Sequence, residues 1–255
     1  MEDYTVKSVE KACVLLDIVS MYPDGIGITE LAEQVEMYKS TVHRLLGTLM
    51  KRNYIQQDVN TGKYKLGYQL LDLGMKMLSS LDLRKEAAPI LQSLAQRTTE
   101  AVHLGILDQN EVVYIDKVES NQTVRMHSRI GKRVPVHALG LGKAILAALP
   151  DRVVQELIAT HGLSAVTPKT IIDAEQLLSS LQNTREQGYA FDIEENELGI
   201  CCVASAIYDN NHHVVAACSV SGPTLRMNTD RLTELAPLVR QAAEEISIRL
   251  GYSPV

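Results

Sequence analysis

The chain has 255 residues, 45% of them hydrophobic and 22% charged, with a formal net charge of −6. That length suits one large domain or two modest ones, and the composition is that of an ordinary globular protein. No apolar run approaches the ~18 or more residues a membrane span needs, Met1-Glu2-Asp3-Tyr4 lacks the basic and apolar regions of a secretory signal, and the four cysteines form no CxxC pair, so a cytoplasmic protein with reduced thiols and no membrane partner is expected. Trp is absent and Phe191 is the single Phe, so Leu, Ile, Val, Ala, Met and Tyr must build the core.

The acidic total hides a basic stretch. Residues 1–37 carry two basic and eight acidic side chains. Residues 38–65 carry Lys39, Arg44, Lys51, Arg52, Lys63 and Lys65 against Asp58 alone, a local balance of +5. Taken by itself this could be a solvated face or a polyanion contact.

A first helix is expected over residues 5–21, where Val6, Val9, Ala12, Cys13, Leu16 and Val19 recur at helical spacing. Pro23-Asp24-Gly25 ends it. Thr29 is placed to cap a short second helix, and a third runs from about Tyr38 to Arg52 with Val42, Leu45, Leu46 and Leu49 inward. If Ile28 opens a helix-turn-helix, Ala32 falls at the close crossing and Met37, Val42 and Leu45 lock the second helix of the pair across the first. Glu36 departs from the pattern by occupying a turn position where Gly is common. The outward face of the third helix carries Lys39, Ser40, Thr41, His43, Arg44 and Thr48, all suited to phosphates or base edges in a major groove. Short strands at 55–59 and 63–66, turned at Thr61-Gly62, form a wing from which Lys63 and Lys65 can reach the backbone. A helical adaptor with a hairpin is the alternative; basic residues on both helix and hairpin favour double-stranded DNA.

Residues 68–82 form a connecting helix with Leu70, Leu71, Leu73, Gly74, Met77, Leu78 and Leu81 apolar. So much apolar surface should bury against something, most simply the same helix of a second copy, and a homodimer suits two DNA half-sites. The expected organisation is thus a winged helix-turn-helix over 1–67, this connector, and a ligand-sensing domain over 83–255. In the last, helices are expected near 83–98, 141–149, 151–160, 173–187 and 229–250. Strands are expected near 101–107, 112–118, 123–130, 189–194, 200–208 and 213–220. Strands paired by hairpins with helices interleaved indicate an antiparallel-sheet α/β domain, and the whole chain an α+β protein.

The sequence resembles the IclR family of bacterial transcription regulators from about Val6 to Gly251. The resemblance rests on Lys39-Ser40-Thr41-Val42-His43-Arg44-Leu45-Leu46 and Gly140-Leu141-Gly142-Lys143-Ala144. It also rests on Gly188-Tyr189-Ala190-Phe191-Asp192-Ile193-Glu194-Glu195 with Leu198-Gly199-Ile200 and Cys202-Val203-Ala204, and on Ser219-Val220-Ser221-Gly222-Pro223. It implies a GAF-like effector domain behind the winged helix, a dimer or dimer of dimers, and repression relieved by a small acid. Within the family, residues 124–133 and Gly222-Pro223-Thr224-Leu225-Arg226 look most like regulators that respond to 2-keto-3-deoxygluconate. The family's pocket positions correspond to Gly140, Leu141, Asp192, Cys202, Ser219 and Ser221.

The residues support such a pocket on their own chemistry. Gly140 precedes a helix, so the N–H groups of Leu141 and Gly142 can receive a carboxylate. Ser219 and Ser221 lie two apart on one strand and share a face. Met126 and Leu141 can supply apolar walls. Read as packing alone, the serines satisfy backbone groups and Gly140 is a turn. Zinc held by Cys202, Cys218, Asp192 and His212 or His213 is possible, but Cys201 and Cys202 point to opposite faces and buried cysteines commonly pack as small hydrophobes, so no metal and no cofactor is expected. Two other functions remain open: an enzyme acting on a small acid through Cys202, and a metabolite-sensing adaptor without DNA. Neither explains the basic helix and wing, and no spacing holds a base beside the Cys202 thiol.

Overall fold

The computed structural model describes residues 5–79, 82–123 and 128–253. The chain divides into two compact units, Met1–Ser80 and Leu81–Val255. No helix among the described residues is long and apolar enough to cross a membrane.

The first unit runs α1 (Lys7–Ser20), α2 (Ile28–Gln34), α3 (Lys39–Lys51), β1 (Ile55–Gln57), β2 (Tyr64–Leu66) and α4 (Tyr68–Ser79). Leu15 and Val19 of α1, Leu31 and Ala32 of α2, Val42 and Leu46 of α3, and Ile26, Ile55 and Tyr64 form its core. The face of α1 therefore differs from the expected one. Leu15, Leu16, Ile18 and Val19 turn to the core, whereas Val6 and Val9 are 61% and 59% exposed and Cys13 is exposed as well. The helix carries two apolar stripes, and only one serves its own domain. Thr29 is not the cap of α2 either: the helix starts one residue earlier, at Ile28, with Gly27 in the N-cap position.

Glu36 adopts φ +50°, the left-handed conformation that the turn between α2 and α3 requires. A non-glycine residue holds it at a cost of about 1–2 kcal/mol. Gly67, by contrast, has no alternative, because a Cβ there would lie 2.1 Å from the Asn53 carbonyl oxygen. The wing pairs antiparallel, Ile55 with Leu66 and Gln57 with Tyr64, and Ile26 bridges to Tyr64. It is shorter than expected because residues 58–62 form the turn. On α4, Tyr68, Leu71, Leu73 and Met75 are exposed.

The second unit runs α5 (Asp82–Thr98), β3 (Ala101–Asp108), β4 (Glu111–Val118), β5 (Arg133–Pro135), a 3-10 turn (Val136–Ala138), α6 (Gly140–Ala148), α7 (Asp151–His161), α8 (Ala174–Gln187), β6 (Ala190–Ile193), β7 (Ile200–Tyr208), β8 (Val214–Pro223) and α9 (Thr229–Arg249). Among the described residues the strands form one six-stranded sheet in the order β5-β4-β3-β8-β7-β6, every neighbouring pair antiparallel. Residues of α5 and α9 pack with Val102, Leu104, Cys201, Val203, Cys218 and Val220 on one face. Residues of α6 and α8 pack with Tyr114, Val134, Ala190, Ala204 and Ala217 on the other. The strand expected over 123–130 falls partly on 124–127, outside the described residues, and Thr123 and Ser128–Ile130 are not in a strand. The sheet instead gains β5, too short at three residues for its alternation to be noticed.

Candidate DNA interface and effector site

On α3, Lys39, Ser40, His43, Arg44 and Thr48 are exposed and Thr41 is half-buried, because Val42 and Leu46 take the helix's inner stripe. The Thr48 hydroxyl donates to the Arg44 carbonyl at 3.0 Å, which leaves its oxygen lone pairs facing out. At the wing, Asp58 Oδ1 accepts from the backbone N–H groups of Asn60 and Thr61 at 2.9 and 3.0 Å. Those donors, aided by Lys65 nearby, hold the Asp58 carboxyl below its usual range. Lys65 Nζ lies 3.6 Å from Asp58 Oδ2, so part of its charge is spent on the turn. Lys63 is exposed. Among the described residues the ion pairs of this unit are Lys65 with Asp58 and Lys76 with Asp72, so Lys39, Arg44 and Lys63 keep their charges for an outside partner.

In the second unit α6 starts at Gly140 with no side-chain cap from Leu139, and the Gly140 N–H is directed at the Cys202 sulfur. Two glycines bring this helix start close. A Cβ on Gly140 would lie 2.8 Å from Cys202 Sγ, and one on Gly142 would lie 1.7 Å from the Val136 carbonyl oxygen. Leu141 reaches across to Gly105 on β3, where a Cβ would meet its Cδ1 at 3.2 Å. Beneath the helix, strand register sets two rows of residues. Asp192, Cys202, Ser221 and Ala101 face one another in the first; Ala190, Ala204, Ser219 and His103 do so in the second. Alternation places both rows on the α6 face. The structure thus brings Gly140, Leu141, Asp192, Cys202, Ser219 and Ser221 together; Met126 lies outside the described residues.

Burial pushes the Asp192 carboxyl up to about 7, with the Glu195 charge adding and the Glu195 N–H opposing. Asp192 Oδ1 accepts from that N–H at 2.8 Å, and the Cys202 thiol donates weakly to Oδ2 at 3.8 Å. Burial first, then the Asp192 charge, raises the Cys202 thiol well above its usual value. A protonated thiol is the reverse of what a nucleophile needs. The zinc set is divided: Cys218 lies on the α5/α9 face with Sγ 3.9 Å from the Val239 carbonyl, and His212 sits edge-on to Tyr252 in the β7–β8 turn. Among the described residues no group of three or more His, Cys, Asp and Glu side chains could hold a metal.

Three features escaped the sequence reading. Lys143 and Glu195, each a member of a quoted motif, form a buried ion pair at 2.5 Å although 52 positions apart. Glu100 takes Arg226 in a two-pronged contact at 2.5 and 2.7 Å, and a Cβ on Gly222 would strike Glu100 Oε2 at 2.6 Å, so the 222–226 stretch has a structural task of its own. His103 and Tyr114 face the serine rows, their rings 5.2 Å apart. A histidine between Val102 and Leu104 on an apolar strand was the available signal. Two cavities of this unit lie elsewhere, about 530 Å³ beside Lys143 and Asn183 and about 280 Å³ between Arg185, Tyr208 and Arg240. The serine rows are closed over in this structure, with Ser219 1% and Ser221 5% exposed.

A winged helix-turn-helix with free cations on its second helix, followed by an α/β unit with convergent polar groups under a helix start, defines a DNA-binding transcription regulator with a small-molecule effector. Residues 8–59 match the IclR helix-turn-helix domain and residues 75–248 the bacterial transcriptional regulator IclR C-terminal domain. The chain belongs to the IclR family. It is 39% identical over 247 residues to the HTH-type transcriptional regulator XynR of Escherichia coli (strain K12), covering 97% of this chain and 98% of that protein. It is 40% identical over 227 residues to KdgR of the same organism, covering 89% and 86%. Among solved structures, an IclR homologue from Microbacterium hydrocarbonoxydans in complex with 4-hydroxybenzoate superposes with a TM-score of 0.82 at 25% identity, covering 95% of this chain and 98% of that one. These relatives are transcription regulators, and the enzyme reading falls away.

Proposed function

We propose that this protein is a cytoplasmic repressor that releases its operator when a small organic or sugar acid binds the second unit. The observation that carries the DNA reading is the outward face of α3, where Lys39, Ser40, His43, Arg44 and Thr48 stand exposed with the cations unpaired, and Lys63 is exposed on the wing that follows. Base-edge contacts belong to α3 and backbone contacts to the wing. Arg44→Ala should weaken binding to a specific site by about 1–3 kcal/mol, and Lys63→Ala should weaken all sequences alike and lower the salt slope. Gel shifts at several salt concentrations read both; unchanged affinity in both variants refutes the assignment.

The protein acts as a homodimer, alone or as a dimer of dimers. The exposed stripes of α1 (Val6, Val9) and α4 (Leu71, Leu73, Met75) are apolar surfaces that a second copy can cover. The effector's carboxylate is received at the start of α6, with Ser219 and Ser221 reading further oxygens. A hydroxylated acid such as 2-keto-3-deoxygluconate suits Asp192, a buried carboxyl able to accept from ligand hydroxyls. KdgR and XynR match this chain nearly equally, so the preference for that acid rests on Asp192 and on the motif resemblance of residues 124–133 and 222–226. Because the serine rows are closed, ligand entry must displace part of their cover, which is a ready source of differential affinity between two states.

A further inference from the structure

We propose that His103 is a specificity-determining residue of the effector site, its Nδ1–H donating to a carbonyl or carboxylate oxygen of a small oxo-acid. This rests on the effector reading above, since it places the ligand over the serine rows.

Among the described residues three buried side-chain atoms lack a hydrogen-bond partner: Arg84 Nε, His103 Nδ1 and Glu195 Oε2. The two charged groups are not alone, for Arg84 Nε lies 3.3 Å from Asp116 Oδ2 and Glu195 is held by Lys143. His103 Nδ1 has no such compensation. An unmet buried polar atom is costly, so a fold that keeps one has a use for it or a partner that comes later. On β3, Val102 and Leu104 enter the α5/α9 core, which sends His103 to the other face. There it pairs across the strands with Ser219, its neighbour Ala101 pairs with Ser221, and Leu141 covers Gly105 two residues on. The orphan atom thus belongs to a side chain that shares a face with both serines and the start of α6.

The ring is also preset. Nε2 lies 2.7 Å from Ser128 Oγ, and the Tyr114 ring packs against it at 55°. Burial, with Lys117 and Lys132 nearby, lowers its pKa to about 3, so the imidazole is neutral and carries one proton. We assign the tautomer in which the Ser128 hydroxyl donates to Nε2 and the proton is on Nδ1, the one that lets Nδ1 meet a ligand oxygen. A donor there, added to the α6 N–H groups and two hydroxyls, fits a ligand with acceptor oxygens at two points. An acid with no acceptor oxygen beyond the carboxylate held at α6 leaves Nδ1 as unmet as before.

Two substitutions separate reading the ligand from holding Ser128. His103→Asn puts an amide N–H near the Nδ1 position and drops the Ser128 link. His103→Gln reaches Ser128 and drops the Nδ1 donor. Calorimetric titration of the full chain with 2-keto-3-deoxygluconate, pyruvate and 4-hydroxybenzoate should find an acid that binds. For it, the Gln variant is expected to lose roughly tenfold or more in affinity while the Asn variant stays within a few fold of wild type. The reverse order, or equal affinity in both, overturns the role given to His103. The combined Ser219→Ala and Ser221→Ala variant tests the underlying site: if it binds as wild type does, the site reading fails, whereas its weakening alongside an unaffected Gln variant removes His103 alone. Failure of all three acids to bind wild type overturns both.

Discussion

The two faces of the six-stranded sheet are built to different rules. Toward α5 and α9 the strands present Val102, Leu104, Cys201, Val203, Cys218 and Val220, side chains with nothing to satisfy but volume. Toward α6 they present His103, Asp192, Cys202, Ser219 and Ser221 in two rows, with the Lys143–Glu195 pair close by. One face fastens the domain; the other carries the polar groups that a ligand can address and spends stability to keep them dry. The difference teaches that strand alternation sorts polar from apolar groups here as strictly as it sorts packing: a one-residue slip would exchange the faces.

The largest effect expected from breaking this division is at the buried ion pair. Lys143→Met strands the Glu195 carboxylate and should cost about 3–5 kcal/mol, whereas Lys143→Met together with Glu195→Leu should recover most of it. Urea unfolding reads both, and a single variant as stable as wild type would show that Glu195 is solvated after all.

The next effect is a pH dependence on the polar face. Asp192 has a folded pKa raised to about 7 from 3.8, so it favours the fold at low pH, and that contribution is lost as pH rises between those values. His103 is lowered to about 3 from 6.5, so its contribution is present above about 6.5 and lost on acidification. In wild type the two oppose. Asp192→Asn leaves the histidine limb, so its stability should fall with acid by on the order of 2–3 kcal/mol between pH 6.5 and pH 4 relative to wild type. His103→Gln should show the opposite slope. Parallel profiles for all three proteins would mean that neither group titrates as burial dictates.

The smallest effect sharpens the contrast directly. Val220→Thr places a hydroxyl among hydrocarbons and should cost about 1–3 kcal/mol, whereas Ser221→Ala one position on should stay within about 1 kcal/mol. Equal losses would erase the distinction between the faces.

Much of this was legible in the residues. Helical and strand periodicity located nearly every element, and Ser219 and Ser221 shared a face as their spacing required. What escaped has physical causes. On α1 the apolar positions outnumber what one face can bury, so periodicity could not say that Leu15 and Val19, rather than Val6 and Val9, enter the core. The cap at Gly27 gives no side-chain signal, and Glu36 hides a left-handed turn behind an ordinary side chain. The Lys143–Glu195 and Glu100–Arg226 pairs join residues 52 and 126 apart, beyond any local pattern. His103 carried no local signal of its role, because its partner row is set by β8, more than a hundred residues later.

The ends of the sheet have a consequence for how copies of this protein can meet. Among the described residues the outer strands are β5, three residues long, and β6, four. Pro135 offers no N–H to a newcomer, and Arg133 is already gripped by Asp108 and Glu111 at 2.7 and 2.6 Å. Such margins make poor templates for strand recruitment. Copies of this chain that meet should therefore do so through side-chain surfaces that can separate again, and a solution crowded with many copies gains protection against fibrous growth seeded along these short margins.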